Sequence, residues 1–160
     1  MPSDWLPLPS SRWNRPLPLL PAIQTNVKTL DTNVFVRLVI GDHPQQTPSA
    51  ERAFLEAIAS GGVYLPDVVL AEVAWVMGGY DLDRQTRYVL LERHLPTRSV
   101  VVDDIDAVID ALENFRQGGD LADQLILARG ARAVALPVLS FDQRFSRSEG
   151  VQLLEAESPK

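Results

Sequence analysis

Five acidic residues, Asp31, Glu72, Asp120, Asp123 and Asp142, stand at or just behind the points where strand-like runs of this chain give way to helical ones. Asp31 follows Lys28-Thr29-Leu30 and precedes apolar helical periodicity through Ile40. Glu72 lies in the helix behind Val63-Tyr64-Leu65, Asp120 and Asp123 open a helix behind Gly118-Gly119, and Asp142 ends the run Pro137 to Phe141. In a parallel α/β sheet all strand ends and following helix starts face one side, so acids at these places can converge on the crevice where such folds bind ligands.

Each acid also has a purely structural reading. Asp and Asn at a strand-to-helix turn accept hydrogen bonds from the first helical N–H groups, which suits Asp31, Asn33 and Asp120, while Asp142 could merely start a turn. Asp123 in a first turn is favoured by the helix dipole. Glu72 falls at the margin of the Val69-Val73-Val76 stripe, where an acid is expected to be half shielded.

The chemical reading starts from repulsion. Carboxylates a few ångströms apart raise one another's pKa unless a positive charge stands between them. The chain has no cysteine and only two histidines, His43 and His94, so thiolate sites are excluded and a histidine zinc site is disfavoured. Hard oxygen donors suit Mg²⁺ or Mn²⁺. Such ions activate water and stabilise in-line displacement at phosphorus, which points to phosphodiester hydrolysis.

The elements that must position these acids alternate along the chain. Val27 to Asp31 reads as a strand and Asn33 to Ile40 as a helix stopped by Gly41. Thr47-Pro48 reads as a cap with proline at the first helical position, and Gly61-Gly62 closes that helix. After the strand Val63 to Leu65, Asp67 is expected to cap a helix carrying Val69, Leu70, Val73, Val76 and Met77, ended by Gly78-Gly79. Asp83 to Leu95 is a further helix, with His94 placed to offer charge to its C-terminal dipole, while His43 is expected in a solvated turn. Ser99 to Val102 is a strand, after which Asp103 or Asp104 caps a helix with Ile105, Val108, Ile109, Leu112 and Phe115 on one side. A helix from Asp120 to about Ala131, a buried-type strand at Pro137 to Asp142 and a last strand at Val151 to Leu154 complete the pattern. The expectation is an α/β fold, a three-layer α/β/α arrangement around a parallel sheet of roughly five strands.

At 160 residues, 46% apolar and 22% charged, the chain has material for one core. The expected organisation is a domain over 27–156 preceded by an extension, 1–26, in which Pro2, Pro7, Pro9, Pro16, Pro18 and Pro21 prevent regular structure. That extension is expected to be a mobile tail, although Trp5 and Trp13 could dock on a neighbouring surface. No membrane span or signal peptide is evident, so a cytoplasmic protein is expected. The formal charge of −6 argues against coating nucleic acid by bulk electrostatics. It leaves room for an enzyme whose local field is reversed by bound cations.

Four motifs then resemble a known family. Leu30-Asp31-Thr32-Asn33, Leu70-Ala71-Glu72-Val73, Asp120-Leu121-Ala122-Asp123-Gln124-Leu125-Ile126 and Leu139-Ser140-Phe141-Asp142-Gln143-Arg144-Phe145 look like the motifs of PIN-domain ribonucleases, especially VapC toxins of bacterial toxin-antitoxin pairs. The resemblance covers Val27 to about Leu154. It implies that Asp31, Glu72, Asp123 and Asp142 hold Mg²⁺ or Mn²⁺, that Asp120 supports them, and that Thr32, Asn33 and Ser140 orient them. It further implies an endoribonuclease acting on RNA, commonly a homodimer, restrained by a VapB-type antitoxin. Ser140 stands where the family often has threonine, which retains a hydroxyl, and the 1–26 extension departs from relatives that begin almost at the first strand.

Three other readings compete. A haloacid-dehalogenase-type phosphotransferase would use Asp31 as nucleophile, yet it wants a second aspartate where Asn33 stands. A receiver-type regulator wants paired acids after the first strand, where only Asp31 is found. An inactive PIN-like binding module is the last alternative, and the presence of every acid argues against it.

Overall fold

The computed structural model describes residues 26–95 and 99–156. The expected tail therefore lies outside the described residues except for Asn26. By its internal contacts the chain forms two compact units, Met1–Ile105 and Asp106–Lys160.

The first unit contains β1 (Lys28–Thr29), α1 (Thr32–Ile40), α2 (Gln46–Ser60), β2 (Val63–Leu65), α3 (Asp67–Met77), α4 (Arg84–His94) and β3 (Val100–Val102). Its strands pair in the order β1-β2-β3, all parallel, with Lys28 opposite Val63 and Val63 opposite Val100. The α1 helix forms because its apolar residues recur at helical spacing, burying Phe35, Val36 and Val39 on the side that packs against α2, α3 and α4. It stops at Gly41, whose φ of 71° is a left-handed conformation that glycine adopts without strain. Phe35, Val63, Leu65, Leu70, Val73, Met77 and Leu91 are fully buried and make the core of this unit.

The second unit contains α5 from Asp106 onward (the helix spans Ile105–Arg116), α6 (Leu121–Arg132), β4 (Val138–Ser140), a short 3₁₀ turn at Phe145–Arg147, and β5 (Val151–Leu153). β4 and β5 are parallel, with Val138 opposite Val151. The buried side chains are Val108, Ala111, Leu112 and Phe115 of α5, Leu121 and Leu125 of α6, and Phe145.

The α/β class holds, and the five expected parallel strands exist, but they pair as three and two. Each contributes only two or three residues, so every ladder is short. β4 is not the buried strand its composition suggested. Gly130 of α6 leaves room for Val138, whose Cγ2 lies 3.3 Å from where a Cβ would stand, and strand alternation then turns Leu139 outward at 59% exposure.

Local capping differs from expectation at three places. The α2 helix starts at Gln46, one residue before the expected Thr47 cap, because His43 Nδ1 accepts from the N–H groups of Gln45 and Gln46. His43 is thus a capping group and half-buried rather than solvated. Thr47 Oγ1 instead accepts from His43 N at 3.2 Å and donates to the Arg37 carbonyl at 3.4 Å. At α3 the cap residue is Pro66, and Asp67 is already helical, donating its N–H to Asp103 Oδ2 at 3.1 Å.

His94 reverses its expected role. It is 7% exposed, its Nδ1 lies 2.8 Å from the Leu90 carbonyl, and the rings of Phe35 and Phe54 meet it edge-on. Burial holds its pKa below the usual histidine value, so the ring is neutral at pH 7 and offers the α4 dipole no charge.

Candidate functional site

In the first unit the acids are Asp31 and Glu72. Asp31 is exposed at the C-terminal end of the β1 segment, and its Oδ2 accepts from Asn33 N at 3.2 Å, which caps α1. The capping and functional readings are compatible here, because the cap uses one oxygen and fixes the direction of the other. Thr32 is buried, and its hydroxyl donates to Glu72 Oε2 at 2.6 Å, tying the start of α1 to the middle of α3. Charge-assisted bonds of this kind restrict a carboxylate to one orientation. Glu72 itself is exposed, not half shielded, since the buried side of α3 is Val69, Leu70, Val73, Ala74 and Met77. Asn33 contributes its backbone N–H while its side chain is exposed.

In the second unit Asp120 caps α6, accepting at Oδ1 from the N–H groups of Ala122 (2.8 Å) and Asp123 (3.3 Å). Asp142 caps the 3₁₀ turn, its Oδ1 accepting from Arg144 N (2.6 Å) and Phe145 N (2.8 Å). Those two N–H groups hold the Asp142 carboxyl below the usual range. Ser140 Oγ accepts from Asp142 N at 3.0 Å, so its hydroxyl fixes the backbone that carries this acid.

Asp123 behaves oppositely. Partial burial, then the negative charges of Asp120 and Asp142, push its pKa up. The donor set of both units is carboxylate oxygen, which matches Mg²⁺ or Mn²⁺ in chemistry. Among the described residues, no group of three or more His, Asp or Glu residues is placed to hold a metal ion.

Two features escaped the sequence. The Arg144 guanidinium donates to the Gly118 carbonyl at 2.9 Å, joining the Asp142 turn to the loop that opens α6. A hydrogen bond between residues 26 apart leaves no local sequence signal. The second is a cavity of about 190 Å³ in the first unit, lined by Leu38, Val39, Glu51, Phe54, Leu55, Arg93 and His94. It contains none of the five acids.

Parallel strands alternating with helices define an α/β protein. The PIN domain family model matches residues 28–150, most of the chain and all five acids, and the protein belongs to the PIN-domain family. No curated protein and no solved structure matches it. Among the described residues no helix is long and apolar enough to cross a membrane.

Proposed function

We propose that this protein is a metal-dependent endoribonuclease, with Asp31, Glu72, Asp123 and Asp142 as its catalytic and metal-holding acids. The observation that carries the reading is the PIN match over residues 28–150, a span that includes every one of these acids. The raised pKa of Asp123 supports it, as does the preparation of each remaining acid by a specific donor.

The protein's own contribution is orientation. Thr32 holds one oxygen of Glu72, Asn33 N holds one oxygen of Asp31, and Arg144 N with Phe145 N hold one oxygen of Asp142. Each carboxylate keeps a second oxygen for a ligand. Asp120 anchors the first turn of α6 and so sets the position of Asp123. Bound there, Mg²⁺ or Mn²⁺ would supply activated water and neutralise charge at the phosphodiester. With a formal charge of −6, an ion held there would reverse the local field toward the RNA backbone, and cleavage is expected to require it.

The test is cleavage of total RNA by purified protein with millimolar Mn²⁺, with chelator, and with Asp31→Asn. Cutting that needs metal and is absent in the variant supports the reading. RNA binding without cutting would make the chain an inactive PIN-like module. We extend the proposal to a cytoplasmic toxin of VapC type that works as a homodimer and is restrained by a VapB-type antitoxin, on the motif resemblance. A bidentate arginine offered by the antitoxin would suit these carboxylates. Expression alone should arrest growth and co-expression of the neighbouring reading frame should relieve it. Unimpaired growth with active protein present would remove the toxin assignment.

A further inference from the structure

We propose that Arg144 is a positioning residue that sets the Asp142 carboxylate against the acids of α6, an inference that rests on the nuclease reading for its functional consequence but not for its structural one. The residue works at both ends. Its backbone N–H donates to Asp142 Oδ1 at 2.6 Å, and its guanidinium Nη2 donates to the Gly118 carbonyl at 2.9 Å. Gly118 lies two residues before Asp120, whose Oδ1 in turn receives the N–H groups of Ala122 and Asp123. Hydrogen bonds thus join Asp142 to Arg144 and Arg144 to the Gly118 carbonyl, and two residues of backbone lead from there to the Asp120 cap of α6.

The loop is shaped for this contact. Gly118 has φ of 112°, a conformation that disfavours any side chain, and a Cβ there would meet Arg144 Nη2 at 3.6 Å. The loop also closes on α5, where Gly118 N donates to the Phe115 carbonyl and Gly119 N to the Asn114 carbonyl. One face of the loop is therefore held by α5 and its Gly118 carbonyl by Arg144. The turn on the other side is equally fixed, because Phe145 is buried and its N–H completes the Asp142 cap. A side chain hydrogen-bonded between two anchored segments restrains their separation. Small errors in such a separation are expensive in catalysis, since a displacement of about 1 Å can cost on the order of a hundredfold in rate.

Arginine reaches the Gly118 carbonyl from its planar guanidinium, while lysine keeps the charge and a donor nitrogen on a shorter stem. Arg144→Met keeps the stem and the backbone N–H and removes only the guanidinium. The experiment compares wild type, Arg144→Met and Arg144→Lys by three readouts on the full chain: amide hydrogen exchange of residues 118–123 without metal, Mn²⁺ affinity by calorimetry, and kcat and KM on RNA. Arg144→Met is expected to speed exchange at least tenfold in that loop alone, to weaken Mn²⁺ about tenfold, and to lower kcat 10- to 100-fold with KM within a factor of about three. Arg144→Lys is expected to recover most of each loss. Unchanged loop exchange in Arg144→Met would overturn the proposal, and so would unchanged kcat with Mn²⁺-dependent cutting intact. Loss in KM alone would instead make Arg144 an RNA contact and also overturn it. If the wild type neither binds Mn²⁺ nor cuts RNA, the nuclease reading falls, and the exchange data still decide whether Arg144 positions the loop.

Discussion

The acids differ in what their charge costs the folded chain, and this separates their roles residue by residue. Asp123 has its folded pKa raised, so its ionised form burdens the folded state at neutral pH, and the burden disappears as pH falls through the folded value. Asp123→Asn is therefore expected to melt at or above the wild-type temperature at pH 7.5 without metal and to lose the response to Mn²⁺. Melting curves with and without the ion check it, and a clearly lower metal-free melting point would show a structural acid instead. Asp31→Asn keeps the α1 cap, since asparagine caps about as well as aspartate, so its metal-free melting point is expected within about 2 °C of wild type. Its cleavage rate is expected to fall by roughly a thousandfold or more. Thr32→Val removes the donor to Glu72, and because Glu72 is exposed and can turn to water the stability loss is expected near 1 kcal/mol. Chemical denaturation measures that loss, and a kcat that falls with it identifies Thr32 as an orienting group.

Among the elements, α4 carries a pH dependence in its last turn. His94 has a folded pKa depressed by burial, so it contributes stability that is present above its unfolded value near 6.5 and lost as pH falls through the folded one. The melting temperature is expected to drop between pH 7 and 5, and His94→Gln is expected to flatten that limb while melting lower at pH 7.5. A limb unchanged in the variant would assign it to another group. The α1 helix depends on Gly41, where φ is 71°. Gly41→Ala is expected to cost about 1 kcal/mol in denaturant unfolding and to leave cleavage per folded molecule unchanged.

At the scale of the whole molecule, the family match begins at residue 28. We propose that 1–26 is dispensable. A chain beginning at Val27 is expected to melt and cut as the full chain does, and loss of folding or of a dimer on size-exclusion chromatography would instead assign Trp5 and Trp13 a docking role. An ion that binds only the folded state stabilises it by RT ln(1 + [L]/Kd), so Mn²⁺ at a hundredfold excess over Kd is expected to add about 2 to 3 kcal/mol to the wild type. A melting point indifferent to Mn²⁺ would remove the metal from the proposed function.

Periodicity and local chemistry carried most of the fold in the sequence. Helix stops at Gly41 and Gly61, caps at Asp31 and Asp120, and the α/β alternation all depend on residues within a few positions of one another, and all are found. Asp31 and Asp120 were legible as capping acids and Asp142 as a turn acid because each sits beside an element boundary, whereas Glu72 lies in the middle of α3. Long-range geometry was not legible. Nothing near His94 in sequence announces that Phe35 and Phe54 will enclose it, and nothing near Val138 announces that Gly130 will admit it and turn Leu139 to solvent. The Thr32 bond to Glu72 and the Arg144 bond to Gly118 span 40 and 26 residues, and the pairing of five strands as three and two is likewise a matter of which edges meet. Burial and hydrogen-bond partnership depend on neighbours that the chain brings together only by folding, so sequence determined which residues could do chemistry and tertiary structure decided what holds each one in place.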